Sequence, residues 1–176
     1  MAPTSPDSGV APVWLRAAIL ASPLVFLVHD LEEYLAQPGW LAASGATIPE
    51  WVRGRIPSLE AYAWAFALLF VLHLAAALLA GRRAPPRWAV WIFVLLVMGR
   101  LTNGITHGAQ ALLLQGYVPG LASAILVILP FTVLLTRGAQ RQGWIRGVWM
   151  PWLLVAGFAV QAAAVAVSLA VGSRLA

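Results

Sequence analysis

The chain has 176 residues, 61% of them hydrophobic and only 10% charged, with a mean hydropathy of +0.85. A soluble domain carries roughly a quarter charged residues, so the composition excludes an ordinary soluble enzyme and predicts an all-α, polytopic transmembrane helix bundle. The net charge of +5 comes from Arg alone, with no Lys. Most of these Arg flank apolar runs and do not form the basic face that nucleic-acid binding needs, so nucleic acid is not an expected partner. Cys is absent, which removes disulfides, thiolate metal sites and Cys nucleophiles and leaves His, carboxylate and amide groups as metal ligands.

Residues 1–11 are Pro/Ser-rich at their start and read as a disordered tail, followed by a single domain over 12–172. The first apolar run lacks a basic n-region, so a retained span is expected there and not a cleaved signal peptide. Five spans are predicted, at about 12–35, 61–80, 88–114, 118–136 and 149–171. Pro119 falls in the first turn of the fourth span and Pro130 is placed to kink it. The stretch 37–60 carries Pro38, Pro49 and Pro57 and reads as an interfacial connector or lid. Trp14, Trp88, Trp91, Trp144, Trp149 and Trp152 lie near predicted span ends, as in an aromatic belt. The Gly- and Ala-rich spacing of the fifth span suits close helix packing.

Connectors on the N-terminal side hold Arg82, Arg83, Arg87, Arg137, Arg141 and Arg146, against Arg53 and Arg55 on the other side. That bias predicts a cytoplasmic N-terminus and an outward C-terminus in the cell membrane.

The acidic residues concentrate at Asp30, Glu32 and Glu33, next to His29. On a helix, His29, Glu32 and Glu33 share a face and Asp30 turns away, as a helix-end group or one that supports a ligand from behind. The i, i+4 spacing lets His29 and Glu33 reach one centre. In the third span, Arg100, Asn103 and His107 lie at i, i+3, i+7, also on one face. At about 1.5 Å per residue, His29 sits about 22 Å above Trp14, and Arg100 and His107 sit about 18 and 28 Å above Trp88. The two faces overlap in height in the outer half of the membrane. Ionisable groups beside lipid cost several kcal/mol, so they should turn inward and pair, Arg100 with Glu32 or Glu33. His73 lies deeper and reads as structural before catalytic, with the floor of the same cavity as the alternative place for it. Gln110 and Gln161 read as packing groups.

His29-Asp30-Leu31-Glu32-Glu33, with Asn103-x-x-x-His107 and Tyr117-Val118-Pro119-Gly120 in order behind it, resembles the HXXEE family of bacterial integral membrane proteins. The resemblance covers roughly residues 15–136. Ala122 and Ser123 stand where that family typically has Thr. The family has no assigned activity, so the resemblance strengthens the site and leaves the reaction open.

Three functions compete. The first is a membrane-embedded metalloenzyme acting on a membrane lipid or hydrophobic small molecule. In it His29, Glu33 and His107 bind a divalent metal (zinc or iron), Glu32 is a general base or bridging ligand, and Asn103 orients a ligand or substrate. Arg100 sits awkwardly there, unless it holds an anionic substrate group or the second carboxylate. The second is metal-free acid–base isomerisation or cyclisation of an isoprenoid- or sterol-like substrate by Glu32 and Glu33, with Arg100 as counter-ion. The third is a proton-coupled transporter or a non-enzymatic binding or scaffold protein.

Overall fold

A computed structural model describes residues 11–44, 48, 50 and 56–175. Five helices are long and apolar enough to cross a membrane: α1 (Val13–Ser44), α2 (Leu59–Ala80), α3 (Arg87–Leu114), α4 (Leu121–Arg141) and α5 (Gly147–Leu175). No strand occurs among the described residues. The connections 81–86, 115–120 and 142–146 are short, which makes neighbours in sequence antiparallel neighbours in space. The bundle is apolar outside as well as inside. Leu112 and Leu113 are more than 80% exposed and Trp152 69%, a surface that suits hydrocarbon and would be an aggregation liability in water.

Two expected boundaries are corrected. Helix α1 does not stop near residue 35 but continues through Pro38 to Ser44, so the first part of the expected connector is helical. His29 and the two glutamates therefore sit in mid-helix. Helix α4 begins at Leu121, because Gly120 caps it with φ of 84°. Pro119 precedes the first turn instead of lying within it. At its other end α4 runs on to Arg141, which places Arg137 and Arg141 in its last turns, where a cation complements the helix dipole. The tail 1–10 and residues 45–47, 49 and 51–55, including Trp51, Arg53 and Arg55, lie outside the described residues.

Prolines inside the spans are accommodated locally. Pro23 donates nothing to the carbonyl of Ile19, and the Ser22 hydroxyl donates to that oxygen instead, at 2.7 Å. Ahead of Pro130, one π-helical turn over Ala124–Ile128 widens α4, and Thr132 Oγ1 donates back to the Ile128 carbonyl at 2.7 Å.

Helices α3 and α5 touch backbone to backbone. A Cβ on Gly157 would stand 2.7 Å from the amide nitrogen of Gly99, and one on Gly99 would stand 2.9 Å from the Gly157 carbonyl. Small residues at a crossing replace the missing hydrophobic drive between helices in lipid with close van der Waals contact. The apolar core, including Leu15, Ile19, Phe26, Val97, Met98 and Leu135, fills the half of the bundle built from the first part of α1, the first part of α3 and the last part of α4. His29, Glu32, Glu33 and His107 lie in the other half.

Candidate metal centre

Packing of α1 against α2 and α4, with α3 reached through long side chains, buries a broad arc of it. At about 100° per residue, Glu32, His29, Glu33 and Asp30 fan across roughly 160°, and each meets a different partner.

Asp30 does not point away. Arg100 donates to both of its oxygens, Nη1 to Oδ1 at 2.6 Å and Nη2 to Oδ2 at 2.9 Å, with both residues 2% exposed. The expected pairing of Arg100 with Glu32 or Glu33 is thus corrected. A fully interior guanidinium needs a bidentate carboxylate, and Asp30 lies on the side of α1 that faces it. The guanidinium also rests 5.4 Å over the Phe26 ring.

Glu32 reaches the start of α4. Its carboxylate accepts from Tyr117 Oη at 2.7 Å, from the Ala122 amide at 3.1 Å and from the Ser123 amide at 2.6 Å. The two amides are orphan donors of a helix N-terminus, where a carboxylate is favoured by both hydrogen bonds and dipole. Partial burial and the Glu32 bond push the Tyr117 phenol up to about 12, so it stays a donor. Glu32 therefore fastens α4 to α1.

His29 is fully buried and held at both ring nitrogens. Asn103 Nδ2 lies 3.0 Å from Nε2 and Ser123 Oγ lies 2.9 Å from Nδ1. An amide N–H can only donate, so Nε2 is the acceptor and Nδ1–H donates to Ser123 Oγ, which donates on to the Gly120 carbonyl at 3.3 Å. Ser123 supplies the hydroxyl that a Thr would supply equally. The His107 ring stands edge-on to His29, 4.9 Å between centroids, and its Nδ1 is buried with no protein partner. Gly120 covers both rings. A Cβ there would lie 2.8 Å from His29 Cε1 and 3.1 Å from His107 Cε1.

Glu33 completes the group, with Oε2 4.0 Å from His29 Nε2. Ligand atoms of His29, Glu33 and His107 all lie within 4.8 Å of one another, and together they could hold a metal ion. Around an ion at about 2.0 Å, tetrahedral ligands are about 3.3 Å apart, so side-chain shifts of about 1 Å close the set. The orphaned Nδ1 of His107 and the unprotonated Nε2 of His29 are what a divalent cation requires. An ion on Nε2 would take the place of the Asn103 hydrogen bond.

His73 does not join the group. Its Nδ1 bonds the Leu69 carbonyl at 2.8 Å and its ring packs edge-on to Phe26. Glu33 and His107 form part of the wall of a cavity of about 330 Å³ that is otherwise largely apolar. Gln110 is exposed and lines the same cavity, while Gln161 is buried against Gly99. Tyr117, Gly120 and Ser123 were legible only as part of a motif. Their roles rest on backbone amides and a left-handed cap that no spacing rule on a helix projects.

The model of a family described as protein of unknown function with HXXEE motif matches residues 20–135. The chain belongs to this family. Asp30, at one of the two x positions of the HXXEE motif, carries the buried ion pair, and the glutamates divide their work between helix anchoring and the His cluster. No curated protein and no solved structure matches.

Proposed function

We propose that this HXXEE protein is a membrane-embedded, metal-dependent enzyme acting on a hydrophobic substrate in the outer half of the cell membrane, with its N-terminus cytoplasmic. The observation that carries the proposal is the convergence of His29, Glu33 and His107 within 4.8 Å at the wall of a cavity. Two imidazoles and one carboxylate form a donor set used by catalytic zinc and non-haem iron, with room for a further ligand. A divalent ion there would supply Lewis-acid polarisation of a carbonyl or activation of a water.

The chain's own residues support this reading in three ways. Asp30 neutralises Arg100, so the cation that would compete with a metal is already paired. Ser123 accepts from His29 Nδ1–H and so fixes the ring with Nε2 unprotonated, the part that an outer hydrogen bond plays at a metal site, while Asn103 holds the Nε2 lone pair that an ion would take. Gly120 closes the site from above without a side chain in the way. Glu32 is better placed as an anchor than as a general base, since three donors already occupy it. That also weakens the metal-free alternative, which needs Glu32 and Glu33 to act as an adjacent pair.

The test is elemental analysis of protein purified without chelators, beside His29→Ala, Glu33→Gln and His107→Ala. The proposal expects about one zinc or iron per chain in the wild type and loss in each variant. Metal-free wild type that also fails to take up either ion on reconstitution would overturn it.

A further inference from the structure

The cavity beside the His cluster carries a second signal that the metal reading does not use. Gln37 lies about three-quarters of the way along α1, one turn beyond Glu33, and is only 6% exposed. Its Oε1 is buried without a hydrogen-bond partner, and the residue lines the same cavity as Glu33 and His107. A buried amide oxygen left unpaired costs free energy unless a ligand or water donates to it. Glu33 and His107 on this wall belong to the proposed metal site, and Tyr62 and Gln110 carry donors of their own, so the Gln37 carbonyl oxygen is the buried acceptor left without a partner. No Arg among the described residues lines the cavity, and the nearby guanidinium of Arg100 is bound to Asp30.

Apart from Tyr62 and Gln110, the rest of the described wall is apolar. Trp40, Ile48 and Leu114 line both this cavity and an adjoining one of about 670 Å³, which continues along the last turns of α1 past Ala36, Gly39 and Ala43. Small side chains at successive turns of α1 leave a smooth trough between it and the end of α3. Both volumes fall in the range of small-molecule sites, roughly 300–1,000 Å³.

Resting on the proposed function for where the head group lies, we infer that the substrate class is a single-chain amphiphile with an uncharged, hydrogen-bond-donating head, of the long-chain alcohol or amide type. Its O–H or N–H donates to Gln37 Oε1 beside Glu33 and His107, and its chain lies in the trough shared by Trp40, Ile48 and Leu114. An anionic head brings no donor to Gln37 Oε1 and sets its charge against a buried acceptor, with no Arg of the described residues on the wall to receive it. A buried acceptor discriminates strongly against a ligand that lacks the matching donor.

The experiment is scintillation-proximity binding of tritiated hexadecanol to the full chain in nanodiscs, with hexadecanol, hexadecyl methyl ether and hexadecyl sulfate as competitors. The ether keeps the chain and the oxygen but has no donor. It should compete about tenfold more weakly than the alcohol, the size expected for one buried hydrogen bond, and the sulfate more weakly still. Gln37→Leu should weaken hexadecanol to the level of the ether and leave the ether unchanged. Should Gln37→Leu fail to fold, Leu114→Trp carries the test: it should weaken alcohol and ether together, while Leu112→Trp, on the outer surface, weakens neither. Equal competition by alcohol and ether, sulfate binding as tight as alcohol, or discrimination that survives Gln37→Leu each overturns the inference. Metal content measured on the same samples separates it from the proposed function. Metal-free protein that still discriminates contradicts the metal reading alone, and metal-loaded protein that does not discriminate contradicts the substrate class alone.

Discussion

Replacing Gly120 by Ala adds a single methyl group, yet two independent costs fall on it. The backbone φ of 84° lies in the left-handed region, where an L-residue pays about 1–2 kcal/mol. The new Cβ would stand 2.8 Å from His29 Cε1 and 3.1 Å from His107 Cε1. His29 cannot retreat without breaking its bond to Ser123 or to Asn103, each about 3 Å long, so the clash resembles overpacking of a rigid core, about 1–3 kcal/mol. The sum, about 2–5 kcal/mol, should appear as a lowered thermal midpoint in detergent and as weakened metal retention on dialysis against a mild chelator. Gly108→Ala is the matched control. Its Cβ would meet nothing within 4 Å, and Ala at a helical position gains about 1 kcal/mol over Gly. A Gly120→Ala variant with the wild-type midpoint and wild-type metal retention would refute the placement of this loop over the two rings.

The Asp30–Arg100 pair and the Tyr117 anchor yield further predictions. Asp30→Asn leaves a buried guanidinium without its counter-charge and should destabilise by about 3–5 kcal/mol in a denaturation series, whereas the double change Asp30→Leu with Arg100→Met should recover most of that loss. A double variant as unstable as Asp30→Asn would mean the pair has a role beyond mutual neutralisation. For Tyr117, the folded-state value of about 12 lies above the ordinary value of about 10. The neutral phenol is therefore the favoured form, its contribution is fully present below about pH 10, and it is lost as pH rises through about 12. The stability difference between wild type and Tyr117→Phe should accordingly be flat up to about pH 10 and shrink above it. A difference that vanishes near neutral pH would show that Tyr117 does not donate to Glu32.

The spans and the His29, Glu33, His107 group were readable because they follow one-dimensional rules. Apolar run length marks a span, i, i+4 spacing joins His29 to Glu33, and a common rise per residue brings α3 to the same height. Asp30 was misread because the helical projection allowed α1 one narrow inward face. In a bundle where α1 packs against several helices, an arc of roughly 160° turns inward, and the residue on its far flank meets Arg100. The partners of Glu32 were missed for a different reason. Its partners are two backbone amides and a phenol from the 117–123 segment, and backbone donors leave no trace in side-chain spacing. The continuation of α1 through Pro38 was hidden by the usual breaking force of proline, which a spanning helix tolerates when neighbouring groups satisfy the freed backbone. The unpartnered oxygen of Gln37 could be seen only once that continuation was known.

The claim on which the rest depends is that two imidazoles and a carboxylate from α1 and α3 close on one ion. X-ray absorption at the metal edge of the purified protein tests it directly. The account predicts a first shell of nitrogen and oxygen at about 2.0 Å with the multiple-scattering signature of two imidazoles, and loss of that signal with the metal in His107→Ala. An absorber surrounded only by water-like oxygen, or a spectrum unchanged by His29→Ala and His107→Ala, would contradict it.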